Sequence, residues 1–325
     1  MESTKEAYKD NTSQPLQTSR FHNDEIDLRD LIRVIWKGKW LITSITLLFA
    51  IGSVVYALSL PNIYKADALL APTESVSGGG LSKMAGQLGG LAALAGVNLG
   101  GAESSHVDLA VQVMQSRQFI ERFINKHELL IPIMATKSWD LTQNELVIDK
   151  DVYDPASGEW LRDPKGLRGA KPTAQEAFEV FNKEILTIKS DKESGLYNLS
   201  ITYYSPYLAQ QWVEWLVEDI NKVMRERTIK ESSQNLAYLN TQLQKTAVAD
   251  MQSTFYKLIE EQTKSLMLAE VQEEFVFKTV DPAVVPEIKA KPNRALICIL
   301  GTFLGALLSV ILVVFHYIKK TLFEV

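Results

Sequence analysis

The chain has 325 residues, 46% hydrophobic and 22% charged, with a formal net charge of −5 at neutral pH. Phosphate recognition needs a basic face, so this mildly acidic balance speaks against nucleic acid as a ligand. One cysteine, Cys298, rules out an intramolecular disulfide and leaves the redox compartment open.

Residues 1–39 form an N-terminal tail. Its first 23 or so residues are rich in Ser, Thr, Asn and Gln and are expected to be disordered. From Asp24 to Trp36, the apolar set Ile26, Leu28, Leu31, Ile32 and Ile35 fits two readings. One is a short amphipathic helix on the membrane surface, with Trp36 and Trp40 at headgroup level; the other is a helical extension of the span that follows. Residues 40–60 are 21 positions without a charged side chain, and residues 295–318 are 24 more. At about 1.5 Å per residue each crosses a hydrocarbon core of about 30 Å. Both are predicted membrane spans. The long polar stretch ahead of the first is unlike the n-region of a signal peptide, so that helix is read as uncleaved.

Orientation follows from the cations. Arg29, Arg33, Lys37 and Lys39 precede the first span, and only Lys65 lies close behind it, which leaves the N-terminus cytoplasmic. Two spans return residues 319–325 to the cytoplasm, where Lys319 and Lys320 follow the second. Lys289, Lys291 and Arg294 lie on the outer side of that span and pull the other way. They are outweighed because long translocated domains tolerate such charges.

Residues 61–294 form the domain between the spans, long enough for a real core. It carries 25 Lys and Arg against 31 Asp and Glu. Tyr64–Leu70 reads as a strand. Residues 78–101 follow, with nine glycines among Leu, Ala and Met and only Lys83 charged. The uncharged part is long enough for a third span, but its glycines lower helix propensity and a third span would place the chain ends on opposite sides. A mobile, apolar, membrane-proximal loop is expected instead. Ser105 with Asp108 resembles an N-cap pair for a helix through Ile124. Residues 149–172, rich in Gly and Asp-Pro pairs, read as loop. Thr173 with Glu176 has the spacing of a capping box. Glu184–Lys189 and Leu196–Tyr204 read as a hairpin, with Tyr197, Leu199, Ile201 and Tyr203 alternating to one face.

From Tyr207 to Asp281 there are 75 residues without Gly or Pro. A helix is predicted over about 207–245 and a second over about 249–272, with a bend at Thr246–Ala249. A helix of this length outruns one compact domain, so the segment 207–272 is expected to project as an arm and to find partners, most simply copies of itself. Glu274–Val280 reads as a strand. Pro282, Pro286 and Pro292 then make a stiff extended connector into the second span. Within that span Gly301 and Gly305 form a GxxxG, which lets helix backbones approach in lipid; glycines tolerated in an apolar helix explain the pair equally well.

Catalytic chemistry is not legible. His22, His106, His127 and His316 are scattered, and no HExxH, CxxC, GxSxG or GxxxxGK[ST] occurs. His106 with Asp108 reads as a solvated helix start, and Asp149 with Asp151 as loop charges rather than a glycosidase dyad. No catalytic residue, no cofactor and no metal site are predicted.

The layout resembles the Wzz-type chain-length determinants, the class 1 polysaccharide co-polymerases that regulate O-antigen chain length. The stretches KESGLYNLSITYY (192–204), LIEEQTKSLMLA (258–269) and FVFKTVDPAVVPEIKAKP (275–292) carry the likeness. The family's proline motif falls on Pro282, Pro286 and Pro292, with a looser spacing before the last, and its glycines fall on Gly301 and Gly305. The resemblance implies an α+β fold, with two transmembrane helices flanking a periplasmic α/β base and a long helical arm. It implies a non-enzymatic inner-membrane homo-oligomer, a closed ring with an octamer as the best guess. The expected partners are a Wzy-type polymerase, an undecaprenyl-linked glycan and membrane lipid. Capsule-serving members often carry a cytoplasmic tyrosine kinase, and the seven residues after Ile318 leave no room for one. In such a ring the glycine-rich segment, with Gly86, Gly89, Gly90, Gly96 and Gly100, would line the lumen near the bilayer. The alternative reading is an adaptor for polysaccharide or efflux export, which commonly has one N-terminal anchor rather than two spans. A sensor would need a cytoplasmic output module.

Overall fold

The computed structural model describes residue 33 and residues 35–73, 102–246 and 248–323. In chain order the elements are α1 (Lys39–Ser59), β1 (Tyr64–Pro72), α2 (Ala102–Met114), α3 (Arg117–Lys126), α4 (Leu130–Ala135), β2 (Thr136–Asp140), β3 (Glu145–Ile148), β4 (Tyr153–Asp154) and β5 (Glu159–Trp160). They continue with α5 (Ala174–Val180), a π-turn Phe181–Ile185, β6 (Leu186–Ser190), β7 (Tyr197–Tyr203), α6 (Pro206–Lys245), α7 (Ala249–Val271), β8 (Phe277–Asp281) and α8 (Arg294–Phe323). The α+β class therefore holds, with an apolar helix at each end and a long helical arm. Two units separate: residues 1–56 with 295–325, and residues 57–294.

In the first unit α1 and the Arg294–Lys319 part of α8 are long and apolar enough to cross a membrane, and very little of either is buried within the protein. Their exposed Leu, Ile, Val and Phe side chains fit a hydrocarbon solvent.

In the second unit an antiparallel sheet runs β6-β7-β1-β8. The alternation read from β7 is real: Leu199, Ile201 and Tyr203 face the core with Ala66, Ala68 and Leu70 of β1. Helix α6 lies over this face. Ser205 caps it by accepting from the Leu208 N–H at 3.4 Å, and Pro206 sits where no N–H is needed. Ala209, Trp212, Val213, Leu216, Ile220 and Met224 then bury one helical stripe. Beyond Met224 only Ser232 and Leu239 of α6 are buried, so the core occupies one half of the helix and the arm the other.

The arm is a two-helix antiparallel pair. Ser232 meets Ser265 at 3.5 Å and Asn235 donates to Gln262 at 3.3 Å. The expected bend lies between the two helices: Thr246 and Val248 are extended, and Gln252 Nε2 donates to the Thr246 carbonyl at 2.8 Å. Only Ala269 of α7 is fully buried.

Several expectations are corrected. Helix α2 starts at Ala102, so Ser105 lies inside its first turn and is not the N-cap; the cap that does form is Ser116, accepting from Phe119 N–H ahead of α3. The first hairpin strand starts at Leu186 rather than Glu184, because the chain leaves α5 through a π-turn that buries both Phe181 and Ile185. The last strand starts at Phe277 rather than Glu274, because Asn221 takes the N–H groups of Val276 and Phe277. Residues 149–172 hold a two-residue ladder, β4 with β5, within the loop. The β2–β3 hairpin lacks any strong turn dipeptide and went unread; Asn144 turns it at φ 53° with its side chain accepting from Trp139 Nε1. The glycine-rich segment and most of Asp24–Trp36 lie outside the described residues.

Candidate functional site

Three constructions tie the elements together, and none resembles an active site. The first is the seam where the proline connector meets the end of α1. Ile63 and Lys291 form an antiparallel bridge, with Ile63 N–H to Lys291 C=O at 2.9 Å and Ala290 N–H to Ile63 C=O at 2.8 Å. Arg294 reaches across to the same place. Its Nε donates to the Ala57 carbonyl at 3.0 Å and its Nη2 to Asn62 Oδ1 at 3.2 Å and the Leu60 carbonyl at 3.5 Å. These are the carbonyls a helix C-terminus leaves unpaired, at its negative dipole end. Arg294 is thus committed to two backbone carbonyls and the Asn62 amide oxygen. The structure does not bring the three prolines together: Pro282 is exposed beside β8, Pro286 is half-buried mid-connector, and Pro292 is half-buried behind a cis bond.

The second construction is the packing of α1 on α8 within the first unit. A Cβ built on Gly301 would stand 2.5 Å from Ser53 Cβ, and one on Gly305 would stand 2.5 Å from Phe49 Cβ. Gly38, which sequence reasoning missed, has the same relation to Val313 Cγ1 at 2.6 Å. Its one sequence signal was a glycine just ahead of an apolar run. Real Cβ contacts are not that short, so these glycines permit the close approach.

The third is a polar node between α3 and α6. Asp219 is buried on α6, where its carboxylate accepts from Lys126 Nζ and pairs with His127 Nε2 at 3.0 Å. The His127 ring stacks on Trp215 at 4.1 Å and 12°. A buried carboxylate needs such partners. Replacing Asp219 with Ala is expected to lower unfolding stability by about 2 kcal/mol, the scale of a hydrogen bond to a charged group, as read by urea unfolding of the solubilised chain. None of the node's residues had a pattern that marked it, since Asp219 meets its partners across more than ninety residues of chain.

Loop 149–172 is also held by charge. Arg162 makes a forked pair with the buried Glu176, at 2.5 and 3.0 Å, while its Nε donates to the Ala170 carbonyl at 2.7 Å. Glu176 completes the capping box with Thr173. The Arg162 guanidinium, foremost by hydrogen bonding, holds the Glu176 carboxyl below its usual range. A depressed folded value means that stability is full above the ordinary glutamate range and drains as pH falls through the depressed one. The chain should therefore lose stability on acidification below about pH 4.5. Glu176→Gln should flatten that limb in thermal melts run against pH, while lowering stability at neutral pH.

The pairs considered for catalysis do other things. His106 and Asp108 are exposed on α2, and Asp108 accepts from the Tyr197 hydroxyl at 3.4 Å. Asp149 accepts from the Asp151 N–H at 3.1 Å, which is a turn device. Among the described residues no group of three His, Cys, Asp or Glu side chains is placed to hold a metal ion. Gly86, Gly89, Gly90, Gly96 and Gly100 lie outside the described residues.

Against known families, a model for "Chain length determinant protein" (Wzz) matches residues 24–127, and a model for "G-rich domain on putative tyrosine kinase" (GNVR) matches residues 239–318. The first takes in α1, β1, α2 and α3, and the second the end of α6, α7, β8, the connector and most of α8. The chain is similar to the Wzz chain length determinants over residues 24–127. No curated protein matches this chain. Among solved structures, a full-length bacterial polysaccharide co-polymerase aligns at 12% identity and TM-score 0.39, over 91% of this chain and 99% of its own. A fragment of WzzB, a polysaccharide co-polymerase from Salmonella Typhimurium, aligns at 12% identity and TM-score 0.26, over 71% and 100%.

Proposed function

We propose that this protein is a Wzz-type chain length determinant that sets the modal length of a surface polysaccharide, with lipopolysaccharide O-antigen as the first choice. It does so as a homo-oligomer beside a Wzy-type polymerase acting on undecaprenyl-linked glycan. In this reading residues 40–60 and 295–318 span the bacterial inner membrane, both termini are cytoplasmic, and residues 61–294 stand in the periplasm as a closed ring, taken as an octamer by family resemblance. The chain has no active site of its own and acts by holding its partners.

One observation carries self-association. A two-helix arm buries a single stripe per helix, and α7 is left with Tyr256, Met267 and Val271 at 61%, 61% and 82% exposure. These recur at helical spacing with Glu260 and Thr263 between them, along one face. An apolar stripe on a projecting hairpin calls for another helix against it, and the neighbouring arm of a second copy supplies one. The glycine contacts support a close pairing of the two spans.

The GNVR match favours a second reading in which the glycan is capsule-like and a separate tyrosine kinase is a partner. Electrophoresis of surface polysaccharides from strains with and without the gene separates the two. Loss of a clustered O-antigen ladder, with polymer still made, supports the first. An intact ladder with altered capsule supports the second, and no change in any glycan overturns both in favour of an export adaptor.

A further inference from the structure

The turn Lys165–Arg168 is held in one shape and tied back to α5 by Arg168, which pairs with Glu176 and Glu179. Lys165 and Arg168 exchange backbone hydrogen bonds at 2.9 and 3.1 Å, and Gly166 takes φ +62° to close the turn. The buried Arg162–Glu176 pair anchors its base, with Arg162 Nη2 donating to the Gly169 carbonyl at 3.1 Å. What this scaffold displays is Leu167, 103% exposed, between the exposed Lys165 and Lys171 in sequence, while Arg168 pairs back onto α5. A leucine fixed in water costs solvation and gains nothing within its own chain. Preorganised apolar tips of this sort recover the cost on a partner. That partner has to offer an apolar recess with an anionic rim.

The same unit carries such a recess. A cleft of about 460 Å³ opens between α6 and β8. Its floor is apolar, formed by Ala68, Val213, Val217 and Ala283, and its rim carries Glu214, Glu218, Glu273 and Glu274. Two cations also line it, Lys222 and Arg225, and Arg225 donates to the Gln272 carbonyl at 3.5 Å. Four carboxylates against two cations leave the cleft acidic. The turn belongs to the loop ahead of α5 and contributes no residue to the cleft, which α6 and β8 line. The two complementary surfaces therefore do not meet within one chain. Between copies they make a head-to-tail contact, the kind that closes rings rather than two-fold dimers.

We propose that the Lys165–Arg168 turn of one copy docks, Leu167 first, in the α6–β8 cleft of the next. The proposal rests on the self-association above and assigns it a polarity and a contact. The test uses the full-length chain in its membrane with Cys298→Ser, so that no native thiol remains. Leu167→Cys and Glu218→Cys placed in the same chain should give a ladder of dimers, trimers and higher species with a short bis-maleimide, and either alone should give none. Lys165→Glu with Lys171→Glu should shift the native mass of the solubilised assembly to smaller species, and Glu214→Lys with Glu218→Lys should restore it. An assembly of unchanged mass with no ladder, indifferent to both charge reversals, overturns this contact and leaves self-association standing. Dimers from Leu167→Cys alone mean a two-fold contact and also overturn it, as does labelling of that thiol by a lipid-anchored maleimide in place of the ladder. A monomeric parent chain would instead sink the reading on which the proposal rests.

Discussion

Asn221→Leu is expected to remove on the order of 4 kcal/mol of stability and to abolish length control. Asn221 is buried on α6, and its Oδ1 accepts from the N–H groups of Val276 at 2.8 Å and Phe277 at 2.9 Å, while its Nδ2 donates to the Phe277 carbonyl at 3.0 Å. One side chain therefore satisfies three backbone groups at the point where the arm returns to the sheet. A leucine of similar size fills the space and leaves all three unpaired, at about 1–3 kcal/mol each with incomplete additivity. Against a typical total of about 5–15 kcal/mol that is a large loss. The damage is also well placed, because β8 runs directly into the proline connector. Urea unfolding of the solubilised chain should show the midpoint falling, and the polysaccharide pattern should broaden. Asn221→Asp keeps the acceptor and loses the donor, so it should lie between the two. A full-strength ladder from Asn221→Leu would mean that the arm need not be pinned to β8.

Gly305→Leu should separate stability from function. The Cβ alone meets Phe49 Cβ at 2.5 Å, and a leucine adds three more carbons in the same direction. Between helices in lipid no hydrophobic gain repays the displacement, because a lipid tail is as good a neighbour as a leucine. Overpacking costs about 1–3 kcal/mol where neighbours can shift, and here the cheaper outcome is for α1 and α8 to part. Residues 57–294 form their own unit, so its unfolding midpoint should not move. Length control should be lost nonetheless, with Gly305→Ala showing a weaker form of the same defect. A wild-type pattern from Gly305→Leu would show that span packing does not enter the mechanism.

What the sequence displayed and what it hid divide along a physical line. Periodic, local signals were legible: the unbroken 75 residues foretold α6, the bend and α7, the alternation in β7 foretold its buried face, and Thr173 with Glu176 foretold a capping box. Long-range polar contacts were not. Asp219 and His127 meet across 92 positions, Asn221 and Phe277 across 56, and Arg294 and Ala57 across 237. A lone Asp or Asn on a helix carries no mark of the partner that folding will bring to it. Gly301 and Gly305 were visible as a spacing, yet their facing residues, Ser53 and Phe49, belong to a helix whose register only packing sets. Leu167 was hidden differently: in sequence it is one apolar residue in a loop, and only the Arg162–Glu176 clamp beneath it makes its exposure meaningful.

The central claim is that this chain redistributes polymer length without making or cutting glycosidic bonds. The most direct measurement is polymerisation in vesicles holding a Wzy-type polymerase and lipid-linked repeat units, with and without the full-length protein, followed by sizing of the product. The account predicts the same total of sugar incorporated, gathered around a modal length when the protein is present and spread without a mode when it is absent. A change in total incorporation with no change in the shape of the distribution would contradict it.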